Sequence, residues 1–88
     1  MTGQQVNVVN ALGLHARAAA KFVGVAARFR SQIRVTRGQR TMDGKSILGL
    51  LLLAAARGSE LTITAEGPDE AEAIAALVSL VERGFEDA

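Results

Sequence analysis

The sequence holds one histidine, His15, and sets it in the stretch Gly13-Leu14-His15-Ala16-Arg17. This stretch joins a glycine-containing loop to an alanine-rich segment with strong helix propensity. A lone histidine at such a junction is most often a surface or capping residue. The position also allows chemistry. The first N–H groups of a helix have no intrahelical partner and carry the positive end of the helix dipole. That end is a poor neighbour for an imidazolium and a good one for an anion attached to the ring. Arg17 follows two residues later and can offer a planar pair of donors to phosphoryl oxygens. A histidine that receives and passes on a phosphoryl group needs a free ring nitrogen, an exposed position and donors nearby.

Ser46 is the second residue of interest. It precedes the apolar run Ile47-Leu48-Gly49-Leu50-Leu51-Leu52-Leu53, where a helix N-cap belongs. An N-cap serine is also a place where an added phosphate is electrostatically welcome, so the two readings do not compete. The run itself is the third feature. A short helix that is apolar all round is either deeply buried or leaves one edge uncovered. In the second case Ile47, Leu48 and Leu51 form a docking patch. Arg17, Lys21 and Lys45 then give it a basic rim that favours acidic partners.

Composition removes several other classes of function. The chain has 88 residues, room for a single domain (1–88) and no large independent cleft. Lys plus Arg number 10 and Asp plus Glu 9, a net charge of +1, which argues against a general nucleic-acid binder. Aromatics are 3% with no Trp or Tyr, so base-stacking platforms are nearly excluded. There is no cysteine, hence no disulfide, no thiol catalysis and no thiolate-bound zinc. With one histidine a multi-histidine metal site is excluded too. The N-terminus lacks the basic-then-apolar order of a signal peptide. The longest apolar run, about residues 47–56, is too short to span a bilayer. A soluble cytoplasmic protein without a cofactor is the expectation.

The elements that must position these residues follow from periodicity. Residues 5–9 read as a strand, with Val6 and Val8 alternating against Asn7. Residues 10–14 read as a loop. Residues 16–29 read as a helix with Ala19, Phe22, Ala26 and Phe29 on one apolar face. Residues 32–37 alternate strictly, Gly38 turns the chain, and 40–42 return as a third strand. After the second helix Gly58 is expected at its C-terminal exit. Leu61, Ile63 and Ala65 alternate with Thr62 and Thr64 in a fourth strand. Pro68 then fits the first position of a last helix, with acids in its first turn. The stripe Ile74, Leu77, Val78, Val81 and Phe85 predicts that this helix runs to the C-terminus. The order β-α-β-β-α-β-α, with two-faced strands, predicts an α+β fold: one sheet, covered by helices on one side and open to water on the other.

These segments resemble the HPr family, the histidine-containing phosphocarriers of the bacterial phosphoenolpyruvate-dependent phosphotransferase system. Gly13-Leu14-His15-Ala16-Arg17 is similar to the phosphohistidine signature. Lys45-Ser46-Ile47-Leu48-Gly49-Leu50 is similar to the regulatory-serine signature. Ala65-Glu66-Gly67-Pro68-Asp69-Glu70-Ala71 is similar to the entry to the final helix. The resemblance implies an open-faced β-sandwich with a four-stranded antiparallel sheet in the order 1-4-2-3 and three helices on one face. It implies a carrier and not an independent catalyst: enzyme I passes a phosphoryl group to Nδ1 of His15, Arg17 assists, and an enzyme IIA domain receives it. It implies Ser46 as the residue modified by HPr kinase/phosphorylase in hosts that have that enzyme. The partner surface it implies joins Ala16, Arg17, Ala20 and Lys21 to Ile47, Leu48 and Leu51, on a monomer. One departure is Ala18, where the family usually has Pro. A regulatory, nitrogen-related carrier uses the same design. A small interaction module without phosphoryl chemistry is the third reading, and an unreactive His15 would favour it.

Overall fold

The computed structural model describes residues 1–86. Its elements are β1 (Thr2–Asn7), α1 (Ala16–Ala26), β2 (Gln32–Arg37), β3 (Arg40–Asp43), α2 (Ile47–Leu52), β4 (Glu60–Glu66) and α3 (Glu70–Glu82), followed by a 3₁₀ turn, Gly84–Glu86. The strands form one antiparallel sheet in the order β1-β4-β2-β3.

Side chains alternate across a strand, so register decides which residues share a face. Val6 sits opposite Leu61, and Ile63 and Ala65 sit opposite Val35 and Ile33. These six are buried against the helices. The other face is polar: Gln5, Thr62, Thr36 and Thr41 lie in one cross-strand row, with the hydroxyls of Thr36 and Thr41 2.9 Å apart.

The helices cover the apolar face. α1 contributes Ala18, Ala19, Phe22 and Ala26, and α3 contributes Ala73, Ile74, Leu77, Val78, Leu80 and Val81. A helix of 11 residues such as α1 is marginal alone. Burial of its apolar stripe holds it, at about 1.5–3 kcal/mol for a side chain such as Phe22. The start of α3 is anchored by Asp69. Its carboxylate accepts from the amides of Arg30 (2.8 Å) and Ser31 (2.9 Å) and from the Ser31 hydroxyl.

Several element ends differ from the periodicity. β1 lies at Thr2–Asn7 rather than 5–9, because pairing with β4 recruits the polar residues before Val6. Val8 is buried beyond the strand end, where it exchanges backbone bonds with Gly58 and Ser59. α1 ends at Ala26, and residues 27–29 close it with bonds from Arg28 to Val25 and from Phe29 to Ala26. Phe29 still packs on the core from there.

α2 ends at Leu52, well before Gly58. The left-handed residue after it is Ala54, with φ 51°. Two arginines hold the last carbonyls, Arg40 on Leu52 (2.9 Å) and Arg37 on Leu53 (3.3 Å), as cations at a helix C-terminus do. Gly58, with φ 90°, serves the turn into β4 instead. Pro68 precedes the cap residue Asp69 and is not the first helical residue. Phe85 is not on α3. It is buried within the 3₁₀ turn at φ 57°, and Asp87 and Ala88 lie outside the described residues.

Candidate functional site

His15 caps the N-terminus of α1 in extended conformation, φ −81° and ψ 178°. Its carbonyl receives the first helical bond, from Ala19 N–H at 2.8 Å. The N–H groups of Ala16, Arg17 and Ala18 precede that bond and have no carbonyl within the helix. The side chain of His15 makes no capping bond to them. His15, a partly exposed residue, thus stands at the N-terminus of α1, where three backbone donors gather at the positive end of the helix dipole. Such a helix start can hold an anion.

The loop before His15 is fixed by backbone contacts. Leu14 N–H donates to Ala55 O at 2.8 Å, and the Leu14 side chain is buried. Gly13 has φ +65°, and a Cβ there would lie 2.5 Å from Ala55 O. Only glycine meets both conditions without strain. This is the physical content of the glycine in the Gly13-Leu14-His15 stretch.

Arg17 is exposed at the second helical position, and among the described residues its guanidinium makes no hydrogen bond or ion pair. It remains available to an anion at His15. Ala18 is fully buried. A proline there would remove one of the three N–H donors, which Ala18 keeps.

Ser46 caps α2 as its position indicated: Oγ accepts from Gly49 N–H at 3.0 Å. Gly49 leaves little spare room, since a Cβ there would lie 3.2 Å from Ser46 Oγ and 3.4 Å from Met42 Cβ. α2 packs beside α1, and of its residues only Leu50 is buried, joined by the cap residue Leu53. Ile47 is 43% exposed, Leu48 68% and Leu51 36%. The uncovered-edge alternative for this apolar helix therefore holds. Ala16, Arg17 and Ala20 are exposed on α1.

The basic rim is only partly free. Lys21 Nζ donates to Phe85 O at 2.8 Å, and Lys45 Nζ donates to Phe29 O at 2.7 Å. Lys21 thereby ties down the 3₁₀ turn after α3, and Lys45 the segment that follows α1. Sequence reasoning also passed over Leu52 (51% exposed) and Leu12 (73% exposed). The unbroken leucine run was the signal for the first. Leu12 had none beyond being apolar in a loop. Among the described residues no cluster of His, Cys, Asp or Glu could hold a metal ion, and no helix is long and apolar enough to cross a membrane.

A helix-capping histidine with free donors beside it, on an open-faced sheet with three helices, defines a class of small phosphoryl-carrier domain. The family model for the PTS HPr component phosphorylation site matches residues 2–83. The chain belongs to the HPr family. It is 48% identical over 88 residues to phosphocarrier protein HPr of Pseudomonas aeruginosa, covering 99% of this chain and 98% of that one. It is 38% identical over 85 residues to phosphocarrier protein NPr of Shewanella violacea, covering 97% and 93%. Among solved structures, HPr-C-His of Thermoanaerobacter tengcongensis superposes with a TM-score of 0.95 at 42% identity, covering 100% of this chain and 99% of that one. An HPr dimer of the same organism superposes at 0.79 and 42%, covering 99% and 100%.

Proposed function

We propose that His15 accepts a phosphoryl group on Nδ1 from phosphorylated enzyme I and passes it to an enzyme IIA domain. The observation that carries this reading is the imidazole at the cap of α1 beside the open N–H groups of residues 16–18. A phosphoryl group on that ring takes its hydrogen bonds from the helix start, and Arg17 adds a charged donor. Such donors hold the group without trapping it, as a carrier requires. In this reading the chain is a carrier rather than a catalyst, and it works in the cytoplasm, where its donor and acceptors meet it.

The same patch, Ile47, Leu48 and Leu51 with Ala16, Arg17, Ala20 and Lys21, receives both partners in turn. A weak, small interface suits that exchange. The chain works as a monomer, because self-association through the patch would hide it. Size exclusion at assay concentration checks this against the dimeric alternative. Ser46 is a regulatory phosphorylation site, supported by its place at the cap of α2 beside Ile47 and Leu48. The acceptors serve sugar uptake, regulation or both. The likeness to an NPr protein favours, as second reading, a carrier of a nitrogen-related phosphotransferase chain that is not linked to sugar uptake.

The test is reconstitution. Phosphoenolpyruvate with enzyme I should add one phosphoryl group, labile in acid and stable in alkali. Adding purified enzyme IIA domains of the sugar and nitrogen branches should remove it, and the faster acceptor identifies the branch. A chain that takes up no phosphoryl group would leave the interaction-module reading.

A further inference from the structure

We infer that Asn10 is a positioning residue for His15, acting through the carbonyl of Gly13; this rests on His15 being the phosphoryl acceptor. Asn10 is a buried polar side chain, 8% exposed, and buried amides are kept where their hydrogen bonds matter. Asn10 O accepts from Gly13 N–H at 3.1 Å, and Asn10 Nδ2 donates to Gly13 O at 2.8 Å. One residue therefore takes both backbone groups of Gly13. The same Gly13 carbonyl accepts the N–H of His15 at 3.0 Å.

The direction of that carbonyl is thus set from one side by Asn10 and read on the other by His15. Ala55 restrains the same peptide: its carbonyl oxygen lies 2.5 Å from where a Cβ of Gly13 would be and accepts from Leu14 N–H. Rotation of the Gly13–Leu14 peptide would carry the His15 amide with it, and the ring would shift relative to the N–H groups of residues 16–18. Asn10 is part of neither α1 nor α2, so its loss should alter the aim of the ring and leave partner docking alone.

The test uses Asn10→Ala and Asn10→Asp in the full chain, with transfer from phosphorylated enzyme I. The aspartate keeps the shape but offers no donor to Gly13 O. Both variants should lower kcat about tenfold with KM within about twofold, because misplacing a reacting group costs rate and not binding. Deuterium exchange of the His15 amide should speed up in both. If Asn10→Ala does not fold at assay temperature, Asn10→Asp carries the test. Unchanged kcat and unchanged His15 amide exchange would overturn the inference, as would a raised KM at constant kcat. Mapping the phosphoryl group in the wild-type chain separates the two failures. Label on a residue other than His15 overturns the functional reading together with this one. Label on His15 with unaffected variants overturns the role of Asn10 alone.

Discussion

Ser46 Oγ accepts the backbone proton of Gly49 at 3.0 Å and so closes the first turn of α2 from outside. Removing that acceptor in Ser46→Ala should cost about 1 kcal/mol, a fall in melting temperature of roughly 4–8 °C for a domain this small. Ser46→Asp keeps an acceptor and adds a charge that suits the helix start. Its melting temperature should be unchanged or higher. Transfer from enzyme I should nevertheless slow, because the charge stands beside Ile47 and Leu48 and must be desolvated against an acidic partner. A phosphoserine, with about −1.5 to −2 charges at neutral pH, should slow it further. Melts and transfer rates measured together separate lost capping from electrostatic interference.

Leu48 extends from α2 with 68% of its surface exposed, so a polar replacement disturbs no packing. Leu48→Asp should keep the melting temperature within about 3 °C, as surface substitutions usually stay within about 0.5 kcal/mol. It should raise KM for enzyme I, and surface plasmon resonance should show weaker binding. Normal binding and transfer would remove Leu48 from the partner surface.

Gly13 should tolerate no side chain. Gly13→Ala places a Cβ 2.5 Å from Ala55 O at φ +65°. The left-handed backbone alone costs about 1–2 kcal/mol, and the overlap with a carbonyl adds to it. A fall in melting temperature of at least about 8 °C is expected, with slower transfer because the loop must shift to relieve the contact.

Asp69 makes the fold sensitive to acid. The Ser31 hydroxyl first, then the amides of Arg30 and Ser31, hold its carboxyl below the usual range. Glu70 is lowered likewise, by Gly67 N–H first and then by the terminal ammonium. A group whose folded pKa is depressed stabilises fully above its unfolded value, about 3.9 for aspartate, and loses that contribution as pH falls through the folded value. Melting temperature should therefore be insensitive to these groups from neutral pH to about 5 and fall below about 4. Asp69→Asn should melt lower at neutral pH and show a shallower fall in acid. A parallel acid curve for wild type and variant would remove Asp69 as the cause.

Much of this was legible in residue order, and the reasons are local. Ile33 and Val35, or Leu61, Ile63 and Ala65, declare a strand because alternation is their whole signal. Ser46 before an apolar run declares a cap. The start of α1 at Ala16 follows from His15 standing between a glycine loop and an alanine run. What failed to show was set by partners distant in sequence. The end of α2 is held by Arg37 and Arg40 of the β2–β3 hairpin, and Ala54 takes the left-handed position that glycine usually marks. β1 is extended toward the N-terminus by its pairing with β4. Phe85 fits the apolar stripe of α3 but reaches the core only after the chain has left the helix. The clamp of Asn10 on Gly13 has no periodic signature at all.

The proposed phosphoryl carriage rests on His15. The most direct measurement is the intact mass of wild-type and His15→Ala chains after incubation with phosphoenolpyruvate and enzyme I. The wild type should gain the mass of one phosphoryl group, lost on brief acid treatment and kept in alkali, and His15→Ala should gain none. Equal uptake by His15→Ala, or an acid-stable adduct on the wild type, would contradict the account.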